Sequence, residues 1–208
     1  FDPGILYYAP QGWASDDSDA VERLKIQYGT SFCYPISSIG SHVSVAPNHQ
    51  VFRNTPLHTR ANVAYFGTFG YELDLNKLTK EEQEAVKGQI AFMKEYRELL
   101  QFGTFYRLVS PFEGNITCWM VVNEEQTEAI VGWYRTLSHV NMPYTRVRLH
   151  GLRPDLCYVE QNTEKSYYGD ELMNGGLVTT DASAGQVTVG EVCTDFWSKI
   201  YVLRAKDR

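Results

Sequence analysis

The sequence predicts an α/β first half joined to an all-β second half, the latter an antiparallel sandwich. Up to about residue 104, short apolar runs alternate with stretches whose apolar residues recur at helical spacing. A long amphipathic pattern over residues 79–101 forms the junction. Beyond it come seven short β-type runs separated by Gly, Asn, Asp or Pro, with no convincing helix between them. The reading gives two domains, residues 1–104 and 105–208.

The opening Phe1-Asp2-Pro3-Gly4-Ile5-Leu6-Tyr7-Tyr8 sets a turn and an apolar run at the very start, without Met or a polar lead-in, as expected of a chain entered inside a larger fold. Ser15 to Asp19 precede Ala20, Val21, Leu24 and Tyr28 at helical spacing. Asp19 and Glu22 stand as a capping box and Gly29 as a stop, predicting a helix of about ten residues. Residues 31–36 read as a β-like run and 41–45 as a looser segment, before a polar loop at Pro47-Asn48-His49-Gln50. Residues 60–66 suit a short helix and 71–75 a strand. Thr79 and Glu82 then cap the long helix, whose face is lined by Val86, Ile90, Met93 and Leu100 and which Gly103 ends. The seven β runs are 105–109, 117–122, 129–134, 146–149, 156–160, 187–192 and 200–203, and Gly175-Gly176 reads as a turn.

Composition narrows the class. At 43% hydrophobic and 13% aromatic, the chain can bury enough apolar surface to offset its ordering entropy, so disorder is excluded. Its formal charge of −6 divides evenly between the halves and leaves no basic stripe for nucleic acid or anionic lipid. No apolar run approaches the roughly 18 residues of a membrane span. Cys33, Cys118, Cys157 and Cys193 are scattered singly, the usage of reduced thiols rather than a metal or disulfide framework. Neither a metal site nor a cofactor is expected.

The densest polar constellation is Trp13-Ala14-Ser15-Asp16-Asp17-Ser18-Asp19. A helix start favours one anion and a cap needs one Asp or Ser. Three carboxylates in four residues exceed that need, since their mutual repulsion raises the pKa of at least one unless cations neutralise them. Trp13, three residues before Asp16, is the aromatic face a pyranose packs on. The calcium reading fails because the alternating ligands, central Gly and terminal Glu of an EF-hand are missing. A triad of Ser15, His42 or His49 and an Asp lacks the glycines of a nucleophile elbow. His42, His49 and His58 sit in polar loop sequence and read as hydrogen-bonded structural residues.

Several segments together resemble the C-terminal part of glycoside hydrolase family 36 α-galactosidases. They are the opening Phe1–Tyr8 run, the Ser15-Asp16-x-x-Asp19-x-x-x-Arg23 pattern, Lys25-Ile26-Gln27-Tyr28-Gly29-Thr30-Ser31, His42-Val43-Ser44 with Pro47-Asn48-His49-Gln50, Gln101-Phe102-Gly103-Thr104-Phe105-Tyr106-Arg107-Leu108, and Gly169-Asp170-Glu171-Leu172-Met173. The resemblance implies the end of a (β/α)8 TIM barrel followed by an antiparallel β domain, and release of terminal α-1,6-linked galactose from melibiose, raffinose and stachyose with retention. It implies Asp16 as the acid/base. Beside it, Trp13 reads either as a substrate-binding wall or as a core residue, and Ser15, Asp19 and Arg23 as support, with Asp19 and Arg23, four apart on one helix, pairing to fix the loop. The attacking carboxylate of the family, in a Lys-x-Asp-x-Asn stretch, has no counterpart in these 208 residues and is expected upstream, so this chain alone should not turn over. A cytoplasmic homo-oligomer, a tetramer, acting on an α-galactoside oligosaccharide is the implied context. Two other readings stay open: a non-catalytic carbohydrate-binding or assembly module formed by the β half, and a transglycosylase like raffinose or stachyose synthase.

Overall fold

Asp19 turns the chain into its first helix. Its Oδ2 accepts the amides of Val21 and Glu22 at 3.0 and 3.1 Å, satisfying donors that have no partner inside the helix, and α1 follows over Ala20–Thr30. The structure, a computed structural model, describes residues 2–139, 145–179 and 195–206 and divides into two compact units, Phe1–Phe102 and Gly103–Arg208.

In the first unit, β1 (Gly40–Ser44), α2 (Leu57–Ala64), β2 (Thr68–Glu72) and α3 (Lys80–Phe102) follow α1. The two strands pair in parallel from Gly40 against Thr68 to Ser44 against Glu72, and Gly12 makes a parallel bridge to Ile39. Parallel neighbours need a crossover, and α1 and α2 supply the two. Leu24, Ile39, Val43, Val63, Phe66 and Leu100 are buried in this unit. The helix α3 opens with the expected reciprocal box, Glu82 N donating to Thr79 Oγ1 at 3.2 Å and Thr79 N to Glu82 Oε2 at 2.9 Å.

Three elements depart from the pattern. The apolar run 31–36 is not a strand. The amides of Ser31, Cys33 and Tyr34 bond back onto the end of α1, and Pro35, with φ held at −61°, leads into a single 3₁₀ turn, Ile36–Ser38. The strand β2 spans Thr68–Glu72 rather than 71–75, since the Asp74 carboxylate accepts the Asn76 amide and starts a 3₁₀ turn where the expected strand would have run on. On α3, Ile90 is exposed, and its place on the buried face is taken by Gln89, whose Oε1 accepts the Tyr71 hydroxyl at 2.8 Å.

The second unit contains β3 (Thr104–Val109), β4 (Ile116–Val122), β5 (Glu128–Arg135), β6 (Arg146–Val147), β7 (Cys157–Glu160), β8 (Ser166–Tyr168), α4 (Gly169–Asn174), β9 (Leu177–Val178) and β10 (Trp197–Ala205). Six strands form one antiparallel sheet in the order β3-β4-β5-β10-β7-β8, and β6 pairs with β9 in a separate ribbon. Alternation fixes the core: Cys118, Met120 and Val122 of β4, Ala129, Val131 and Trp133 of β5, and Tyr201 and Leu203 of β10 share one cluster with Val147, Leu149, Leu172 and Leu177. The short helix α4 escapes sequence reading because six residues give no periodicity, although Glu171 closes a capping box onto Tyr168. Gly176 makes the expected turn with φ of +84°. The run 187–192 lies outside the described residues.

Candidate active site

The segment after Gly12 leaves the parallel bridge and reaches Asp16 four residues later, so the acidic constellation emerges at the C-terminal end of a parallel strand segment and at the start of a helix. Asp16 is exposed. Its Oδ1 accepts the indole N–H of Trp13 at 2.9 Å, and Oδ2 makes no hydrogen bond among the described residues. The other carboxylates turn inward. Asp17 Oδ1 accepts the Asp19 amide at 3.0 Å, and Ser15 Oγ accepts the Asp17 amide at 3.1 Å. Asp19 is almost wholly buried. The acidic cluster is therefore one outward carboxyl on a loop held by its neighbours.

Asp19 and Arg23 do not pair. Capping commits Asp19 to the helix axis, and its charge is met by Arg53, which also reaches Glu22 at 3.2 Å. That second contact also breaks the expected box, since Glu22 is drawn to Arg53 rather than back to the Asp19 amide. Burial pushes the Asp19 carboxyl above the usual carboxylate range, against the pull of the Glu22 and Val21 amides and of Arg53. Arg23, one turn on, lies on the buried face of α1, where carbonyls need donors: it bonds Gly40 O and, at 3.3 Å, Ser15 O, with Gln27 Oε1 at 3.4 Å. Desolvation lowers its pKa while Asp17 and Glu72 oppose. Arg23 thus ties the Asp16 loop to β1.

Sequence reasoning missed several contributors. His42 is on β1, not in a loop, and its ring lies 4.9 Å from that of Trp13 between centroids. Its Nδ1 is 3.9 Å from Glu72 at the end of β2. Burial pulls the imidazole below its usual value, Glu72 opposing and Arg23 reinforcing. His58 is on α2. Beneath the loop, Ser44 Oγ donates to Ser18 O at 2.8 Å, and Arg60 donates to Ser44 O at 2.5 Å and to Thr55 O at 2.9 Å. The one signal for these residues was that His42-Val43-Ser44 alternates, placing His42 and Ser44 on the same face of a strand. A cavity of about 270 Å³ is lined by Trp13 with Gly12, Ala14, Thr30, Tyr34, Ser38 and Ile39, none of them a carboxylate. Among the described residues, no group of His, Cys, Asp and Glu is arranged to hold a metal ion.

Comparison with known families resolves what this arrangement belongs to. A family model described as Melibiase matches residues 1–103, and one described as the glycosyl hydrolase family 36 C-terminal domain matches residues 116–203. The chain belongs to glycoside hydrolase family 36. Among its family 36 relatives, α-galactosidase AgaA of Geobacillus stearothermophilus is 55% identical over 177 residues, covering 85% of this chain and 24% of its own length. An α-galactosidase of Pediococcus pentosaceus is 44% identical over 205 residues, or 99% of this chain and 27% of its own. A crystal structure of a variant of the Geobacillus enzyme in complex with raffinose superposes with a TM-score of 0.91 at 49% identity, covering 99% of this chain and 27% of that one. The α-galactosidase of Lactobacillus brevis gives 0.92 at 48% identity, covering 100% of this chain and 28% of that one. The chain spans about a quarter of the length of the curated relatives it matches.

Proposed function

We propose that the protein containing this chain is a retaining α-galactosidase that removes terminal α-1,6-linked galactose from raffinose-type oligosaccharides. The first unit is read as the closing part of a (β/α)8 barrel and the second as its C-terminal β domain. The reading is supported by family membership, by relatives that are named α-galactosidases, and by related structures in complex with raffinose and stachyose. One observation carries the assignment within the chain: of the three clustered carboxylates Asp16 is the exposed one, its Oδ2 uncommitted among the described residues, at the strand exit where barrel enzymes build their sites.

A retaining glycosidase needs two carboxyl groups about 5–5.5 Å apart, one to attack the anomeric carbon and one to protonate the leaving oxygen and later deprotonate water. Asp16 takes the second role, and the attacking carboxylate comes from outside these 208 residues. Trp13, 42% exposed, offers ring surface to the sugar. Ser15, Asp19 and Arg23 hold the loop through the Asp17 amide, the helix cap and the Ser15 and Gly40 carbonyls.

The test is Asp16→Ala in the intact protein. Loss of a general acid costs about 10²- to 10⁴-fold on raffinose, whose leaving group needs the proton. On an aryl α-galactoside with a good leaving group the loss of the first step should be far smaller, and azide should restore turnover while yielding α-galactosyl azide. Equal losses on both substrates, with no azide product, would remove Asp16 from the acid/base role.

A further inference from the structure

We infer that Trp13 is a positioning residue that dictates which oxygen of Asp16 carries the catalytic proton. The inference rests on the acid/base reading of Asp16. An indole N–H is a donor and never an acceptor, so the 2.9 Å contact fixes Oδ1 as the accepting oxygen. When the carboxyl is protonated, its carbonyl oxygen is the better acceptor, which leaves the proton on Oδ2, the oxygen with no partner among the described residues.

The indole is itself held. The guanidinium carbon of Arg23 lies 5.6 Å from the Trp13 ring centroid, and the His42 ring packs against it from β1. Gly40 gives the room: a Cβ there would lie 2.8 Å from Trp13 Cε3 and 3.1 Å from Cζ3. Strand β1 and helix α1 therefore determine where the N–H points, and the N–H determines the rotation of the Asp16 carboxyl.

In the first half-reaction the Oδ2–H bond breaks and the proton passes to the glycosidic oxygen. That oxygen keeps the electron pair of the cleaved bond to the anomeric carbon, while the attacking carboxylate forms the new bond to that carbon. Asp16 is left as a carboxylate whose charge on Oδ1 is met by the indole N–H, a bond stronger to the charged acceptor than to the neutral one. In the second half-reaction Oδ2 takes a proton from water as its oxygen bonds the anomeric carbon and the enzyme carboxylate leaves.

The experiment replaces Trp13 in the intact protein with 3-benzothienylalanine, which keeps the ring shape and its packing but has sulfur where the indole has N–H, and in parallel with Phe. Arg23 from α1, His42 from β1, Glu72 from β2 and Asp17 on the loop are the titratable groups around the indole, and the isostere leaves them all in place. The expected result is a roughly tenfold fall in kcat/KM on raffinose with at most about a twofold fall on an aryl α-galactoside, the size of one hydrogen bond. Equal losses on both substrates overturn the inference. The Asp16→Ala result reads the other way: if Asp16→Ala behaves as an acid/base variant while the isostere is silent, only the role of Trp13 falls. If Asp16→Ala loses both substrates equally, the acid/base reading itself falls.

Discussion

The two units are held together by different chemistry. Of the seventeen buried polar or charged side chains among the described residues, twelve lie in the first unit, including Asp19, Arg23, Gln27, Asn48 and Arg60. Asp19, Arg23, Gln27, Ser38, Ser44, Asn48 and Arg60 bond backbone amides or carbonyls, and Ser41 with Gln27 adds a side-chain pair. In the second unit the interior is Trp119, Met120, Ile130, Val131, Trp133, Tyr134 and Leu203 on paired antiparallel strands. Apolar packing is proportional to area and indifferent to direction, whereas a buried hydrogen bond fixes an angle and leaves a cost if unmade. The first unit's interior therefore fixes directions as well as distances, whereas that of the second is set mainly by apolar area.

The sharpest way to break this contrast is to damage each interior and ask which property suffers. Trp133 is fully buried, packs edge-on to Trp197 at 5.5 Å, and its indole N–H has no partner among the described residues. Trp133→Ala should cost about 3–5 kcal/mol in urea unfolding. Trp133→Phe should cost far less, since it discards an unsatisfied donor along with part of the ring. If the second unit is only a scaffold, kcat/KM of the folded Trp133→Phe protein should stay within about twofold of the parent. A change in substrate preference instead would give the β unit a part in recognition and revive the binding-module reading.

In the first unit, Asp19→Ala should cost about 1–2 kcal/mol for the lost cap and remove one of the carboxylates that Arg53 meets. Because Asp19 anchors the loop that carries Asp16, activity should fall by more than stability accounts for, measured well below the unfolding transition. Asp19→Asn keeps an oxygen for the cap and separates charge from geometry. Burial raises the folded-state value of this carboxyl above its unfolded value of about 4. Between the two values the native chain holds a proton that the unfolded chain has released, so the group's contribution is complete below the unfolded value and is lost as pH rises through the folded one. Urea midpoints across the acid range should show that decline in the parent and a flatter curve in Asp19→Asn.

The same contrast explains what the residues disclosed beforehand. Local signals stood out: the Asp19 cap, the Thr79–Glu82 box and the alternating strands of the sheet all depend on neighbours a few positions apart. The unit boundary at Phe102 and Gly103 coincides with the end of α3. Partners set by long-range geometry did not stand out. Arg53 against Asp19 spans 34 residues, Gln27 donating to Phe66 O spans 39, and spacing alone favoured the wrong partner, Arg23. The Asp16 motif was legible as a pattern, but its inward and outward carboxylates could be told apart only once the backbone amides of 19, 21 and 22 had claimed theirs.

The loop beside that motif carries a strain that spacing could not show. Asn48 Oδ1 accepts the amides of Gln50 and Val51 at 2.9 and 3.1 Å, and Phe52 N closes onto Asn48 O at 2.9 Å, while Arg53 is clamped to Asp19 and Glu22. These bonds force Phe52 to a φ of 55° with its ring 79% exposed. A left-handed backbone costs a bulky residue about 1–2 kcal/mol, and an exposed ring recovers little of it by burial. Glycine adopts that conformation freely but loses more entropy on folding. The balance favours Phe52→Gly by up to about 1 kcal/mol, read as a higher urea midpoint at unchanged slope. A lower midpoint would mean that the ring is covered in the intact protein and contributes there more than its backbone costs.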